Sequence, residues 1–397
     1  MNVLVLNYYP ALHPPSSGGE LRYYNLYREL SKYFNITLLS FTHPFHKGFV
    51  QHTSAMKEYR IPQEKVHEHC WHRLSRKKIG HELHGLMYAK CGKYSTEYHE
   101  MFSRLYNEND IIVHEFPYLL LYDVYFGQDR KPRIYNSHNF ETSLVKSMYK
   151  GPLAGKYVKF ISGLENRLIH GADIVFATSD AEREKFAKFF TADPKKIKLA
   201  PNGTHPHEWT RIKKDTECNA RKTALFIGSL HRPNKEAVEF IIHELADRCP
   251  AIDFIIAGGC CAYIKNTIKT NVERLGRIDQ NTKQELFSRV DVAINPMFSG
   301  AGTNLKTVEC LSAGIPLFTT EVGARGYNLI HKQHCIKVKK EKFAEKLRKY
   351  CEQRFDLLLQ IAEQGREYVN ENFSWQYIAM NVKNEIEELL SQKTNQI

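Results

Sequence analysis

Apolar residues fall along this chain in short, almost unbroken runs, each followed by small or polar residues and then by a stretch of helical period. Residues 3–7, VLVLN, form the first run, as expected of a strand covered on both faces. Pro14 to Gly19, PPSSGG, then read as a loop. From Glu20 the side chains of Leu21, Tyr24, Leu26, Tyr27 and Leu30 recur at helical spacing, ahead of a second strand over 36–41. Strand, glycine-rich loop, helix, strand is a βαβ unit. The rhythm continues through strands at 110–116, 133–138, 173–179 and 196–203. Residues 204–222 are polar and aperiodic and read as a linker. A second series follows, with strands at 223–230, 253–259, 271–276, 291–296 and 316–320 and helices at 235–249, 280–289 and 305–313. Beyond about 341 the chain is helical and charged. The pattern predicts an α/β protein of two parallel-sheet domains, the first spanning 1–203 and the second beginning at 223. Parallel sheets take ligands at the C-terminal ends of their strands, so a cleft between the domains is the expected site.

Composition supports that division. A chain of 397 residues suits two domains of near-average size, and 42% hydrophobic with 25% charged residues are globular values. Met1 is followed at once by NVLVLNYYP, with no basic segment before it, so no signal peptide is expected. No run of eighteen apolar residues is present to span a bilayer. The nine cysteines are odd in number and scattered, and they read as reduced core residues of a cytoplasmic protein. The charge is lopsided: 56 Lys+Arg against 44 Asp+Glu gives +12, which implies an anionic partner or simply a soluble surface. No recognition helix, zinc spacing or stacked-aromatic module points to nucleic acid.

The richest chemistry lies in FSGAGTNLKTVECLSAGIP, residues 298–316. A helix starting near Thr303, just after the strand DVAINP, would point its N-terminus at the ligand end of the sheet. Free N–H groups and the positive end of the helix dipole make such a terminus an anion site. Gly300 and Gly302 let backbone approach a bulky anion. Gly302, Lys306, Glu309 and Ala313 share one helical face. Anion site, cation and hydroxyl acceptor in a row fit a nucleoside diphosphate with its ribose diol. The same spacing also fits an ordinary surface pair of Lys306 with Glu309. The stretch is not a Walker A loop, and the chain has no Asp-x-Asp, so no metal and no cofactor are expected.

GAGTNLKTVECLSAGIPLFTTEVGARG resembles the nucleotide-binding segment of retaining glycosyltransferases of family four, which have the GT-B fold. PPSSGGELRYYNLYREL, NSHNFETS, APNGTHP, FIGSLHRPNKEAVEFI and ENFSWQYIA resemble further family segments in the expected order. The resemblance covers essentially the whole chain, except that residues about 50–105 carry no family signal. It implies two Rossmann-like domains facing a deep cleft, the second over 223–370, and a helical crossover, 371–397, returning to the first. It implies that Gly18 and Gly19 lie under the donor diphosphate. Lys235 and Lys306 would face that diphosphate, and Glu309 would accept from the ribose. Gly228, Ser229, Gly302, Thr303, Asn304, Leu305 and Ile278 would line the donor. His138 would stand near the reacting sugar, with His114 as the competing histidine and Glu141 on the acceptor side. Two departures stand out. Ser229 follows Gly228 where the family often has arginine, with Arg232 nearby. Ala301 stands where the family has its first glutamate of Glu-x7-Glu, as in branches reading GSGTxLK, which puts the identity of the sugar in doubt.

The resemblance implies retaining, metal-independent, front-face transfer from a nucleotide-diphosphate sugar to a glycan or lipid-linked acceptor, in surface polysaccharide or glycoconjugate synthesis. The alternative is a non-catalytic nucleotide-sugar or glycan-binding protein of the same fold. HRLSRKKIGHELHG carries Arg73, Arg76, Lys77 and Lys78, followed by Tyr88, Tyr94, Tyr98 and Tyr106. It reads as a surface for an anionic membrane, placing the protein in the cytoplasm with peripheral contact on the inner face, or else as a solvated helix.

Overall fold

A computed structural model describes residues 1–15, 17–43, 46–80, 82–126, 130–209, 221–264, 269–300 and 302–394. The chain divides into two compact units, one of residues 1–200 with 379–397 and the other of residues 201–378.

The first unit carries β1 (Asn2–Asn7), β2 (Asn35–Thr42), β3 (Gly48–Thr53), β4 (Met56–Pro62), β5 (Ile111–His114), β6 (Arg133–Asn136), β7 (Ile174–Ala177) and β8 (Ile197–Leu199). They form one sheet in the order β3-β4-β2-β1-β5-β6-β7-β8. All neighbours are parallel except β3, which runs antiparallel along β4. Val3, Leu4, Val5 and Leu6 are buried on both faces of the sheet, which is why the run is unbroken in sequence. The hairpin of β3 and β4 falls where the sequence reading finds no signal. As the edge of the sheet it is largely half-exposed and carries many polar side chains, so no apolar run marks it.

The second unit carries β9 (Lys222–Ile227), β10 (Ile252–Ala257), β11 (Val272–Gly276), β12 (Val292–Asn295), β13 (Leu317–Thr319) and β14 (Ile336–Lys337). All are parallel, in the order β11-β10-β9-β12-β13-β14. This is the doubly wound Rossmann order, reversing direction between β9 and β12. The helix expected over 235–249 is Arg232–Phe240, continued by a π turn, Ile241–Leu245, and a last turn, Ala246–Arg248.

Three expectations change. Part of the supposed linker belongs to the second unit: Thr204 bridges Ser374, and Trp209 is buried against Phe287 at 4.8 Å. Polarity hid this, because one large aromatic anchors an otherwise polar stretch; residues 210–220 lie outside the described residues. The division of the C-terminal segment falls at residue 378, inside the helix Trp375–Thr394, rather than at 371. Cys70 and Cys91 form a disulfide joining the helices Lys65–Ser75 and His84–Cys91, against the expectation that every thiol is reduced. Their separation of 21 residues gives no sign of the contact that helix packing creates.

Candidate functional site

In the first unit the strand order reverses between β1 and β5, so the segments leaving their C-terminal ends diverge around a crevice. After β1 comes the loop to Ser17, whose hydroxyl caps the helix Gly18–Leu30 by accepting from the Glu20 amide. Gly19 sits at a tight point. A Cβ there would stand 3.0 Å from the Tyr9 hydroxyl and 3.8 Å from His138 Nδ1. After β5 comes Glu115, and after β6 comes His138, whose Nε2 lies 2.6 Å from Glu115 Oε2. Glu115 Oε1 accepts from the Tyr27 hydroxyl at 2.5 Å and from Asn136 Nδ2 at 2.8 Å. Arg22 donates to Asn136 Oδ1 at 2.7 Å and to the Ala200 carbonyl at 2.8 Å. All five side chains are buried.

The network fixes the state of His138. Glu115 accepts from it, so Nε2 carries the hydrogen and Nδ1 keeps a lone pair. Burial holds the imidazole below its ordinary range; Glu115 opposes the shift and Arg22 adds to it. The ring is therefore neutral near pH 7, with an accepting nitrogen turned towards Gly19. Phe116 packs on the ring at 4.6 Å and stacks on Tyr118, which donates to Glu141 Oε2 at 2.5 Å. Burial raises the Glu141 carboxyl to about 8, so it keeps its proton at neutral pH.

His114, the competing histidine, is engaged elsewhere. It ends β5 fully buried, with Nε2 3.0 Å from Asp123 Oδ2. Burial alone would raise the Asp123 carboxyl, but bonds from His114 and Arg133 outweigh it and hold it at about 2. Its geometry is that of a structural ion cluster. The membrane expectation divides in the same way. Arg73, Arg76, Lys77 and Lys78 are exposed. Of the tyrosines only Tyr94 is; Tyr88, Tyr98 and Tyr106 are core, Phe41 stacking at 4.6 Å on Tyr88 and at 4.1 Å on Tyr98. Such pairs add about 0.5–1.5 kcal/mol beyond burial, which explains aromatics in a segment otherwise rich in charge.

In the second unit the reversal lies between β9 and β12, and both following loops carry the expected residues. Gly228 ends the turn after β9 against Gly258, whose φ is +95° and where a Cβ would lie 2.3 Å from the Gly228 carbonyl. Both positions exclude side chains. Asn234 Nδ2 donates to the Ser229 carbonyl at 3.0 Å. From the other side of the reversal, Lys306 Nζ donates to Asn234 Oδ1 at 2.8 Å and lies 4.3 Å from the Phe226 ring centre. Burial lowers this ammonium to about 8. An ammonium has three donors. Among the described residues Asn234 is the one oxygen that receives any of them, which leaves capacity for an incoming anion.

Lys306 is held by the helix Leu305–Ser312. The preceding turn places Gly300 at φ +116° and Gly302 at +68°, and Arg325 clamps it by donating to the Gly302 carbonyl at 2.6 Å and to that of Gly300 at 3.2 Å. Thr303 accepts from Asn202 at 2.7 Å, and Asn304 donates to the Val322 carbonyl at 3.3 Å rather than capping the helix. Ala301 lies outside the described residues. Glu309 does not stand alone: its Oε1 is 2.7 Å from Lys283 Nζ, which lies over Trp209 and Phe287. Ile278 packs at the margin of the same apolar cluster. Lys235 is half-exposed, paired with Glu239 at 3.5 Å and 5.9 Å from the Tyr263 ring centre. Its neighbour Asn234 makes the contact instead.

Sequence reading missed Tyr9, Glu115, Asn234, Lys283 and Arg325. Asn234 and Arg325 stand inside the quoted family segments, and at the first the polar role was given to its neighbour Lys235. Among the described residues one group offers metal-ligand geometry, His205, His207 and Glu208, with ligand atoms within 4.8 Å of one another. Gln280 Nε2 already donates to Glu208 at 3.2 Å.

Residues 221–353, all within the second unit, match the family model described as Glycosyl transferases group 1. No match was found among curated protein sequences. Solved structures are similar over nearly the whole chain. Sucrose-phosphate synthase from Thermosynechococcus elongatus is 16% identical, with a TM-score of 0.73 over 99% of this chain and 100% of that one. The α,α-trehalose 6-phosphate synthase from Burkholderia multivorans is 10% identical, with a TM-score of 0.70 over 100% and 98%. Anabaena HepE, in complex with UDP and glucose, is 14% identical, with a TM-score of 0.68 over 97% and 99%. At these identities the likeness is one of fold: two parallel-sheet α/β units followed by C-terminal helices, the GT-B fold.

Proposed function

We propose that this protein is a retaining glycosyltransferase of family four type that moves a sugar from a nucleotide-diphosphate sugar to a hydroxyl of a glycan or lipid-linked acceptor. The observation that carries the reading is Lys306. A half-buried ammonium with spare donors stands at the head of a helix, at the strand reversal of a Rossmann unit. That is a place for a diphosphate. The Anabaena protein has been captured with UDP-glucose, which favours a uridine diphosphate donor here.

In this reading Lys306 and the helix terminus stabilise the charge that grows on the leaving diphosphate, the interaction that commonly contributes most to such catalysis. Glu309, steadied by Lys283, takes the ribose hydroxyls. Neutral His138 accepts from a sugar hydroxyl through Nδ1, and protonated Glu141 sits behind the acceptor side. The acceptor hydroxyl attacks on the face that the phosphate leaves, and a phosphate oxygen takes its proton. No carboxylate pair at glycosidase spacing is then required, and neither is a metal. A role in surface polysaccharide synthesis, beside a membrane contacted through Arg73, Arg76, Lys77 and Lys78, completes the proposal. No described helix is long and apolar enough to cross that membrane.

The test is a thermal-shift screen over nucleotide sugars, since a ligand that binds only the folded state raises its melting temperature. Selective stabilisation by UDP sugars is expected, followed by transfer with the donor's anomeric configuration kept in the product by NMR. Stabilisation by none of them, or an inverted product, sinks the reading. Transfer lost on adding a chelator would overturn the metal-independent step alone.

A further inference from the structure

Beside β14, the edge strand of the second sheet, lies a cavity of about 300 Å³. Its walls come from the turn before β14, from the segment after it, and from one face of the helix Phe343–Gln353. Seven of its lining side chains are lysine or arginine, and none is a carboxylate. Three of these are partly neutralised from outside: Lys337 by Glu321 at 3.1 Å, and Lys342 and Lys346 by Glu345 at 3.1 and 3.9 Å. Lys332, Lys339, Lys349 and Arg354 have no carboxylate within ion-pair distance among the described residues.

A solvated charged face is normally laced with opposite charges. Here a concave surface instead gathers cations from three separate segments over an apolar floor of Ile336, Val338 and Tyr350. Lys332 is delivered by a left-handed backbone turn, φ +66°, an arrangement that costs a lysine about 1–2 kcal/mol. The His331 imidazole reports the field: burial, then Lys332 and Lys337, hold it below its ordinary range. Cations crowded in a concave, partly dry wall attract anions well beyond what scattered charges achieve.

We infer that this cavity is a second anion site, separate from the one at Lys306, that takes a ligand bearing clustered phosphate groups. The chemistry is shared by a soluble oligophosphate and by the headgroups of an anionic lipid surface. β13 separates β14 from β12, so occupancy here leaves the Lys306 loop free. The site stands whether or not the protein transfers sugars, because it uses none of the residues assigned to that reaction.

The test uses the full chain and inorganic tripolyphosphate, titrated calorimetrically against wild type, the double variant Lys332→Ala/Lys349→Ala, and Lys306→Ala. The double variant is expected to bind roughly 25-fold more weakly, about fivefold for each basic residue removed. Lys306→Ala should retain the site at wild-type affinity. Both lysines are exposed, and unchanged melting temperatures would confirm folding. A flotation arm compares phosphatidylglycerol with phosphatidylcholine vesicles. Capture by the former alone, weakened in the double variant, identifies lipid headgroups as the source; tripolyphosphate binding without capture identifies a soluble ligand. A double variant that binds both probes like wild type, or a wild type that binds neither, overturns the inference.

Discussion

In the first unit the groups beside Gly19 are bonded to one another, in a chain from Arg22 through Asn136 and Glu115 to His138. In the second unit Lys306 has, among the described residues, one oxygen partner and sits against an aromatic ring. The first arrangement is complete in itself. It fixes one ring nitrogen as an acceptor and leaves nothing charged to be answered by a ligand. The second is incomplete: a cation is held in a place that lowers its affinity for its own proton, and an anion would relieve that cost. A satisfied network suits positioning, whereas an unsatisfied charge suits binding and transition-state stabilisation.

The largest effect should come from the incomplete side. Lys306→Ala is expected to lower kcat for transfer from a UDP sugar by about 10³-fold, as losses of preorganised charge do. The fold should persist, because the side chain is not part of a packed apolar layer; circular dichroism melting would check this. A rate within a few-fold of wild type would remove Lys306 from the reaction.

His138→Ala should cost about 10²-fold in kcat with little change in donor KM, the scale of one proton-handling group. Glu115 acts through the ring and is a positioning residue. Glu115→Gln removes a charge that raises the His138 pKa, so the ring protonates only at lower pH. The acid limb of the kcat/KM profile should therefore move down. A purely structural Glu115 would lower the rate without moving the limb.

A third effect separates the two regions by pH. Lys306 titrates near 8, so raising pH from 7 to 9 removes its charge and should weaken UDP binding by about tenfold. Lys306→Ala should bind weakly at both values. His138, neutral near pH 7 and above, should contribute nothing to this slope.

Much of this was legible in sequence because it depends on local spacing. The unbroken runs of β1 and β12 and the glycines at 228, 300 and 302 follow from backbone requirements that only certain residues meet. The placing of Lys306 follows from helical period. Glu115 was invisible because its role comes from β5 and β6 lying side by side, 23 residues from His138 in sequence. Lys283 was hidden likewise, 26 residues from Glu309, and nothing in ENFSWQYIA marks where one unit hands over to the other. His114 misled for the opposite reason. It ends a strand of the first sheet and so competes with His138 in sequence, but Asp123 and Arg133 arrive from later elements and hold the buried imidazole in a polar cluster.

The pair of Lys283 with Glu309 offers the finest test, because it joins the two styles in one place: a carboxylate meant for a ligand but already satisfied. If Glu309 takes the ribose, its bond to Lys283 orients it, and the two residues act as a unit. Glu309→Ala should then raise donor KM about tenfold, and Lys283→Ala about threefold, near the worth of one charged hydrogen bond and of one partly exposed ion pair. The double variant should resemble Glu309→Ala alone, since residues sharing one interaction are not additive. A donor lacking the ribose 2′-hydroxyl should narrow the gap between wild type and Glu309→Ala, because the lost partner is then absent from both. Strict additivity in the double variant, with equal sensitivity to the deoxy donor, would make Glu309 a member of a surface ion pair and leave the ribose to backbone groups near Ile278.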